Sequence, residues 1–202
     1  MIKSSHAKSA KIIFDVYLSR LLKKHFHTFK VQSGNLLPDE NRSILLLANH
    51  FSWWDGFFWY YLNGIFWKKK FHIMMLEKQL NRYWFFRFLG AFSVRKNSRS
   101  VMESFEYTSG LLKNSNNLVL IFPQGEIQPL GIEKIKFERG IELLKTSGTP
   151  RTQTIFGYAH TEYGSNPKPA VYFFIRPANE NTVSEMECAY HLFRKECIGQ
   201  LP

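Results

Sequence analysis

From Ser43 onward, short apolar runs alternate with stretches of helical character, and this alternation restricts the fold more than any other feature of the chain. The sharpest run is 118–122 (LVLIF), bounded by Asn-Asn before it and Pro-Gln-Gly after it, which predicts a buried strand. Residues 43–48 (SILLLA) predict another, and shorter strands follow at 71–75, 92–94, 154–159 and 171–175. Helices are expected between them at 52–62, 78–88, 98–112 and 137–145, with a closing helix over 183–197. Strands alternating with helices imply an α/β sandwich, a largely parallel central sheet flanked by helices. A chain of 202 residues is long enough for one such domain and too short for two comfortable ones.

The stretch 7–29 spaces Ile12, Ile13, Val16, Tyr17, Leu21 and Phe26 roughly as a helix would, with Lys8, Lys11, Arg20, Lys23, Lys24 and Lys30 among and around them. This divides the chain into a basic amphipathic N-terminal helix, residues 1–30, and a domain over 31–202. Such a helix suits a membrane interface, and it equally suits a surface helix packed on the domain. The formal net charge of +11 attracts polyanions, of which nucleic acid and anionic membrane are the common ones. Aromatic residues make up 16% of the chain, more than a core of this size needs, so some are expected to face lipid or a lipid-like ligand. The longest uncharged stretches, 43–54 and 56–67, fall short of the roughly 20 residues that span hydrocarbon. No secretory signal is evident, because Asp15, Arg20 and Lys23 interrupt the first apolar segment. Membrane contact is therefore expected to be peripheral. Cys188 and Cys197 fall on different turns of the closing helix and read as free thiols.

In such folds chemistry collects on loops beyond the carboxyl ends of the strands, and two polar segments stand there. The first is Asn49-His50-Phe51-Ser52-Trp53-Trp54-Asp55. With His50 on the loop and Asp55 in the first turn of the next helix, the carboxylate can accept the proton on Nδ1. Nε2 is then free to take a proton from a hydroxyl. The same residues also fit a plain helix start, since Ser52-x-x-Asp55 has the capping-box pattern, and the spacing alone leaves both readings open. The second segment is Phe122-Pro123-Gln124-Gly125-Glu126, in which Pro stiffens the turn and Gly lets a ligand approach the backbone. An ordinary strand-to-loop turn reads the same way. Arg95, with Lys96 and Arg99 nearby, suits bidentate phosphate contact or a solvated cationic face. Phe137-Glu138-Arg139-Gly140 opens a helix whose free N–H groups could receive an anion. His25 and His27 lack a nearby third ligand, so no metal site is expected.

Taken in order, these segments resemble the glycerolipid (lysophospholipid) acyltransferase family. That family carries Asn-His-x4-Asp after a strand, then Gly-x-Phe-x-x-Arg, Phe-Pro-Glu-Gly-Thr/Ser and Phe-x-x-Gly. Here they stand as Asn49-His50-x4-Asp55, Gly90-x-Phe92-x-x-Arg95, Phe122-Pro123-Gln124-Gly125 and Phe137-x-x-Gly140, within 43–175, and Ser52 also matches a frequent family choice. The resemblance implies an O-acyltransferase of lipid metabolism, acting in phospholipid biosynthesis. His50 would be the general base on an acceptor hydroxyl that attacks an acyl thioester directly, with Asp55 orienting the ring. Arg95 and Phe122, Pro123, Gln124, Gly125 and Glu126 would bind the acceptor's head group, supported by Asn49 and Ser52. No cofactor or metal is implied. The donor substrate would be acyl-CoA or acyl carrier protein, and the acceptor a lysophospholipid, glycerol phosphate or other lipid alcohol. The location implied is cytoplasmic, peripheral on the inner face of the cell membrane.

Three positions depart from the family pattern: Gln124 stands where Glu is usual, Glu126 where Thr or Ser is usual, and Gly157 replaces a Pro in a later strand. The aromatic clusters Phe57, Phe58, Trp59, Tyr60, Tyr61 and Trp84, Phe85, Phe86, Phe88 are expected to divide between core, an acyl-chain groove and a membrane platform. Two rivals remain. One is a non-catalytic lipid-binding protein on the same fold. The other keeps the chemistry and moves it to a glycolipid, amino-acid lipid or pigment acceptor. A nucleic-acid binder is disfavoured because no recognition-module signature appears, and a serine hydrolase because there is no Gly-x-Ser-x-Gly elbow.

Overall fold

Strands β1 (Thr28–Ser33), β2 (Ser43–Ala48), β3 (Lys70–Leu76), β4 (Ala91–Val94), β5 (Asn117–Ile121), β6 (Thr152–Glu162) and β7 (Ala170–Pro177) form one sheet in the order β1-β7-β6-β2-β5-β3-β4. The structure, a computed structural model, describes residues 1–33, 39–95, 100–146 and 151–202. All neighbouring strands pair in parallel except β6 and β7, which run antiparallel. The sheet is therefore largely parallel and flanked by helices, as the alternation of runs predicts. Its two central strands explain their own composition: every residue of β2 and of β5 is buried. A parallel strand covered on both faces reads as a continuous apolar run, where a half-exposed one alternates.

Helices α1 (Lys8–His25) and α2 (Asp55–Ile65) cover one face, where Leu18, Leu22, Phe58, Trp59 and Leu62 pack against Leu46, Leu120 and Phe173. Helices α4 (Ser100–Leu112), α5 (Glu142–Thr146) and α6 (Val183–Gly199) cover the other, through Phe105, Leu144, Met186, Tyr190 and Phe193. A short α3 (Glu77–Arg82) and a 3-10 segment (Trp84–Leu89) join β3 to β4. Each large apolar side chain buried in these layers contributes about 1.5–3 kcal/mol, so the two layers fix the helices firmly on the sheet. The start of α6 is closed reciprocally: Thr182 Oγ1 accepts from the Glu185 N–H at 3.2 Å, and Glu185 Oε2 accepts from the Thr182 N–H at 3.1 Å.

Gly157, the residue in place of the family's proline, has a packing reason. A Cβ there would stand 2.5 Å from the ring of Trp59, which is fully buried against this strand. Trp59 and Gly157 thus fill one volume between them. Ahead of α1, residues 2–7 run beside β4: the Ser93 N–H donates to the Ile2 carbonyl at 2.9 Å, and the Ile2 N–H donates to Ser93 Oγ at 2.7 Å.

Three expectations need correction. The helix expected over 7–29 ends at His25, and Thr28–Ser33 is instead an edge strand paired with β7. Residue 30, the boundary drawn after the N-terminal helix, consequently lies inside β1. The helix expected over 78–88 is α3 followed by the 3-10 segment, and the one expected over 137–145 begins as a 3-10 turn at Arg139–Ile141. Of the helix expected over 98–112, residues 98 and 99 lie outside the described residues, as does Lys96.

Candidate functional site

The chain leaves β2 toward β3 on one side and leaves β5 toward β6 on the other, so the loops after these adjacent strands open a crevice beyond their carboxyl ends. Asn49 fixes the first loop. Its side chain donates to the Ala159 carbonyl and accepts the Ala159 N–H, each at 2.8 Å, extending the β2–β6 pairing by a side chain. The next residues turn around one carboxylate. Asp55 is fully buried, and its Oδ2 accepts from the Phe51 N–H at 2.7 Å, the Ser52 N–H at 2.9 Å and the His50 ring at 2.7 Å. Its Oδ1 accepts from the Ser52 hydroxyl at 2.9 Å. Because a carboxylate only accepts, Nδ1 of His50 carries the proton toward Asp55. The reciprocal capping box expected of Ser52 and Asp55 is not formed, since α2 begins at Asp55 itself with no side-chain cap; the carboxylate instead holds the turn and the imidazole together.

The second motif supplies the other wall. Phe122 stacks on the His50 ring, with centroids 4.1 Å apart and planes 7° from parallel. Gly125 has φ +68°, a left-handed conformation that favours glycine, and its N–H closes a turn onto the Phe122 carbonyl at 3.0 Å. Gln124 is buried, and its Oε1 accepts from the His50 N–H at 2.6 Å. The backbone N–H groups of residues 50, 51 and 52 are thus all engaged. Among the described residues, Nε2 of His50 has no hydrogen-bond partner.

His50 lines a cavity of about 1170 Å³, larger than the ~300–1,000 Å³ of a drug-sized ligand site. Its walls come from both layers. Phe14, Phe57, Tyr60 and Phe86 line it on the α1/α2 side, and Val101, Phe105, Gly140 and Ile141 on the α4/α5 side. Gly140 is close-packed here, since a Cβ would stand 2.5 Å from the Phe105 ring. Lys78 and Arg82 also line the cavity, and with Glu126 and Glu138 they give an otherwise apolar space a charged margin.

Of the residues singled out by sequence, His50, Phe122, Pro123, Gly125 and Glu126 line this cavity, while Asn49, Ser52 and Asp55 stand behind His50. Gln124 is turned toward the His50 backbone. Arg95 follows β4, with its side chain exposed and paired to Glu77; Lys96 and Arg99 lie outside the described residues. The aromatic clusters divide: Phe58 and Trp59 are core, Phe57, Tyr60 and Phe86 line the cavity, and Trp84 and Phe85 are 62% and 42% exposed. Sequence reasoning missed Trp53, Lys78, Arg82, Phe105 and Gln128. Of these Trp53 lies within the first motif, and Gln128 follows the second, three residues after Gly125.

Comparison with known proteins gives three findings. The family model described as Acyltransferase matches residues 25–146, more than half of the chain. A curated protein of Streptococcus pneumoniae, described as a 1-acyl-sn-glycerol-3-phosphate acyltransferase, is 29% identical over 105 residues. That match covers 50% of this chain and 36% of the curated protein, so the chain aligns with about a third of the relative's length. The crystal structure of the 1-acyl-sn-glycerophosphate (LPA) acyltransferase PlsC from Thermotoga maritima superposes with a TM-score of 0.62 at 16% identity, over 96% of this chain and 81% of that one. At that identity the likeness is one of fold.

Proposed function

The chain belongs to the acyltransferase family, and from that premise we propose that it transfers a fatty acyl group from an acyl thioester to the hydroxyl of a lysolipid. The observation that carries the reading is the Asp55-oriented imidazole of His50, standing on Phe122 at the wall of a large apolar cavity. Nε2 takes the proton of the acceptor hydroxyl as its oxygen attacks the thioester carbonyl. The tetrahedral intermediate collapses with cleavage of the C–S bond, and the imidazolium returns its proton to the departing thiolate. Asp55 stabilises the transient cation and keeps Nε2 as the basic atom. The oxyanion takes its hydrogen bonds from elsewhere in the cleft, because the three N–H groups beside His50 are already committed.

Lysophosphatidate is the acceptor suggested by the descriptions of the similar proteins from Streptococcus pneumoniae and Thermotoga maritima. Arg95, Lys78 and Arg82 are the cations proposed to meet its phosphate, and the cavity is proposed to take the acyl chain. Either acyl-CoA or acyl carrier protein serves as donor in this scheme.

The same reading places the protein on a lipid surface. No helix among the described residues is long and apolar enough to cross a membrane. Ile12, Ile13, Val16 and Tyr17 of α1 are exposed, as are Trp84 and Phe85, and Phe14 and Phe86 bring the two segments together at 6.3 Å between ring centroids. Exposed Lys8, Lys11, Arg20 and Lys24 accompany them on α1. Incubating the protein with labelled acyl-CoA or acyl carrier protein and a panel of lysophospholipids, glycerol phosphate and other lipid alcohols tests the proposal. Mass analysis is expected to find a diacyl phospholipid. Undiminished transfer by a folded His50→Ala variant overturns the mechanism.

A further inference from the structure

Gln124 occupies the position where the family pattern has a carboxylate, and its environment is that of an amide. It is 5% exposed, and its side chain crosses from the turn after β5 to the loop after β2. Oε1 accepts from the His50 N–H at 2.6 Å, and this backbone donor fixes which amide atom is which. The nitrogen therefore faces Gln128, donating to its Oε1 at 2.6 Å, and lies 3.5 Å from the His50 carbonyl. The Gln128 N–H closes the ring by donating to that same carbonyl at 2.9 Å. Both polar groups of the His50 main chain are thus gripped from the second motif. Phe122, Pro123, Gly125 and Glu126 line the cavity, and Gln124 does not.

We infer that Gln124, partnered by Gln128, is a positioning residue that clamps the His50 backbone and so sets where the imidazole stands, and that it is not a ligand of the acceptor. The inference rests on the proposed proton transfer by His50. Three holds on His50 then have separate tasks. Asp55 fixes the ring's rotation and tautomer, Phe122 supports its face, and Gln124 fixes the main chain from which it projects. The choice of amide follows from the partner. The outer atom at position 124 must donate to Gln128 Oε1. A carboxylate has nothing to donate, and would be tolerated only if Gln128 turned its own amide over.

The full chain carrying Gln124→Leu, Gln124→Glu or Gln128→Leu tests this by steady-state acyl transfer and by amide hydrogen exchange at residue 50. Gln124→Leu loses both polar atoms, and kcat is expected to fall about 10²-fold, the scale of a reacting group displaced by an ångström, with KM for the acceptor unchanged. Gln124→Glu keeps the oxygen that accepts the His50 N–H and is expected to recover most of kcat. Gln128→Leu is expected to lose less than Gln124→Leu, and Gln124→Glu and Gln128→Leu carry the test should Gln124→Leu not fold. A head-group ligand gives the reverse: KM rises while kcat holds, and Glu is worse than Leu toward an anionic acceptor. That pattern overturns the inference. Exchange of the His50 amide is expected to be slow in the wild type and in Gln124→Glu, and faster in Gln124→Leu or, to a lesser degree, in Gln128→Leu. Unchanged exchange in the Leu variants likewise overturns it. Slow wild-type exchange in a protein that transfers no acyl group assigns the failure to the proposed function and leaves the clamp in place.

Discussion

The loop 50–55 and the face made by α1 with the 3-10 segment 84–89 share one cavity, yet they are held in opposite ways. In the loop, a single buried carboxylate satisfies two backbone N–H groups, a hydroxyl and an imidazole, and every contact is internal. On the α1 face, Leu18 and Leu22 are buried while Ile12, Ile13, Val16 and Tyr17 are turned outward, at 48–71% exposure. The first arrangement is complete without a partner. The second leaves apolar surface exposed to water. Internally satisfied polar structure and exposed apolar surface are thus kept on different elements, with Phe14 and the Tyr60–Asp15 hydrogen bond at 2.7 Å joining them.

Substitution can break that contrast. His50→Ala is expected to cut acyl transfer by at least about 10²–10⁴-fold with little change in thermal midpoint, since the ring is a pendant of the loop. Asp55→Ala is expected to cost a comparable factor in rate and also about 1–3 kcal/mol of stability, because the Phe51 and Ser52 N–H groups lose a buried acceptor. Urea unfolding separates the two variants, and equal midpoints would refute the claim that the loop turns around its carboxylate. Gly157→Val tests the interior differently: with a Cβ at 2.5 Å from Trp59, overpacking is expected to cost about 1–3 kcal/mol, read by the same method.

Acid sharpens the comparison further. His72 is buried beneath residues 2–7, with Ser4 Oγ 3.2 Å from its Nδ1, and its pKa is pushed down to about 3, by burial first and then by His6 and Lys70. The native ring stays neutral where the unfolded one, at 6.5, takes a proton, so the unfolded state binds more protons between these values. Stability is therefore expected to fall as pH drops below about 6.5. His72→Phe should flatten that slope in urea unfolding at pH values on either side of it. The smallest effect on the fold is expected outside: Ile13→Asp and Trp84→Ala should change stability by no more than about 0.5 kcal/mol. They should nevertheless lower sedimentation with anionic vesicles at low salt. Undiminished vesicle binding would mean that this face docks on something else.

Much of this was legible in the sequence, for identifiable reasons. Runs such as 43–48 and 118–122 are apolar on both faces and admit few assignments, so the central strands and the crevice at their ends followed from them. The edge strand Thr28–Ser33 was missed although Thr28-Phe29-Lys30-Val31-Gln32 alternates polar and apolar, because the helical spacing of α1 carries on through Phe26 and masks so short a pattern. A strand of this kind is fixed by its β7 neighbour rather than by its own propensity. At the site, residue types indicated His50 and Asp55 but posed capping and catalysis as alternatives, and only the geometry shows one carboxylate accepting from the Ser52 N–H and the His50 ring together. Gly157 and Gln124 looked like departures from a pattern until their partners, Trp59 and Gln128, came into view. Those partners are set by folding and by a turn, which spacing does not encode.

The segment 2–7 has a consequence at the sheet's margin. β4 is the terminal strand on its side, and an uncovered terminal strand is a template on which another chain's backbone can add itself. Here the Ser93 N–H is already spoken for by Ile2. A basic, aromatic-rich protein crowded with its own copies therefore meets a blunted border there, and its capacity to polymerise through that edge is curtailed.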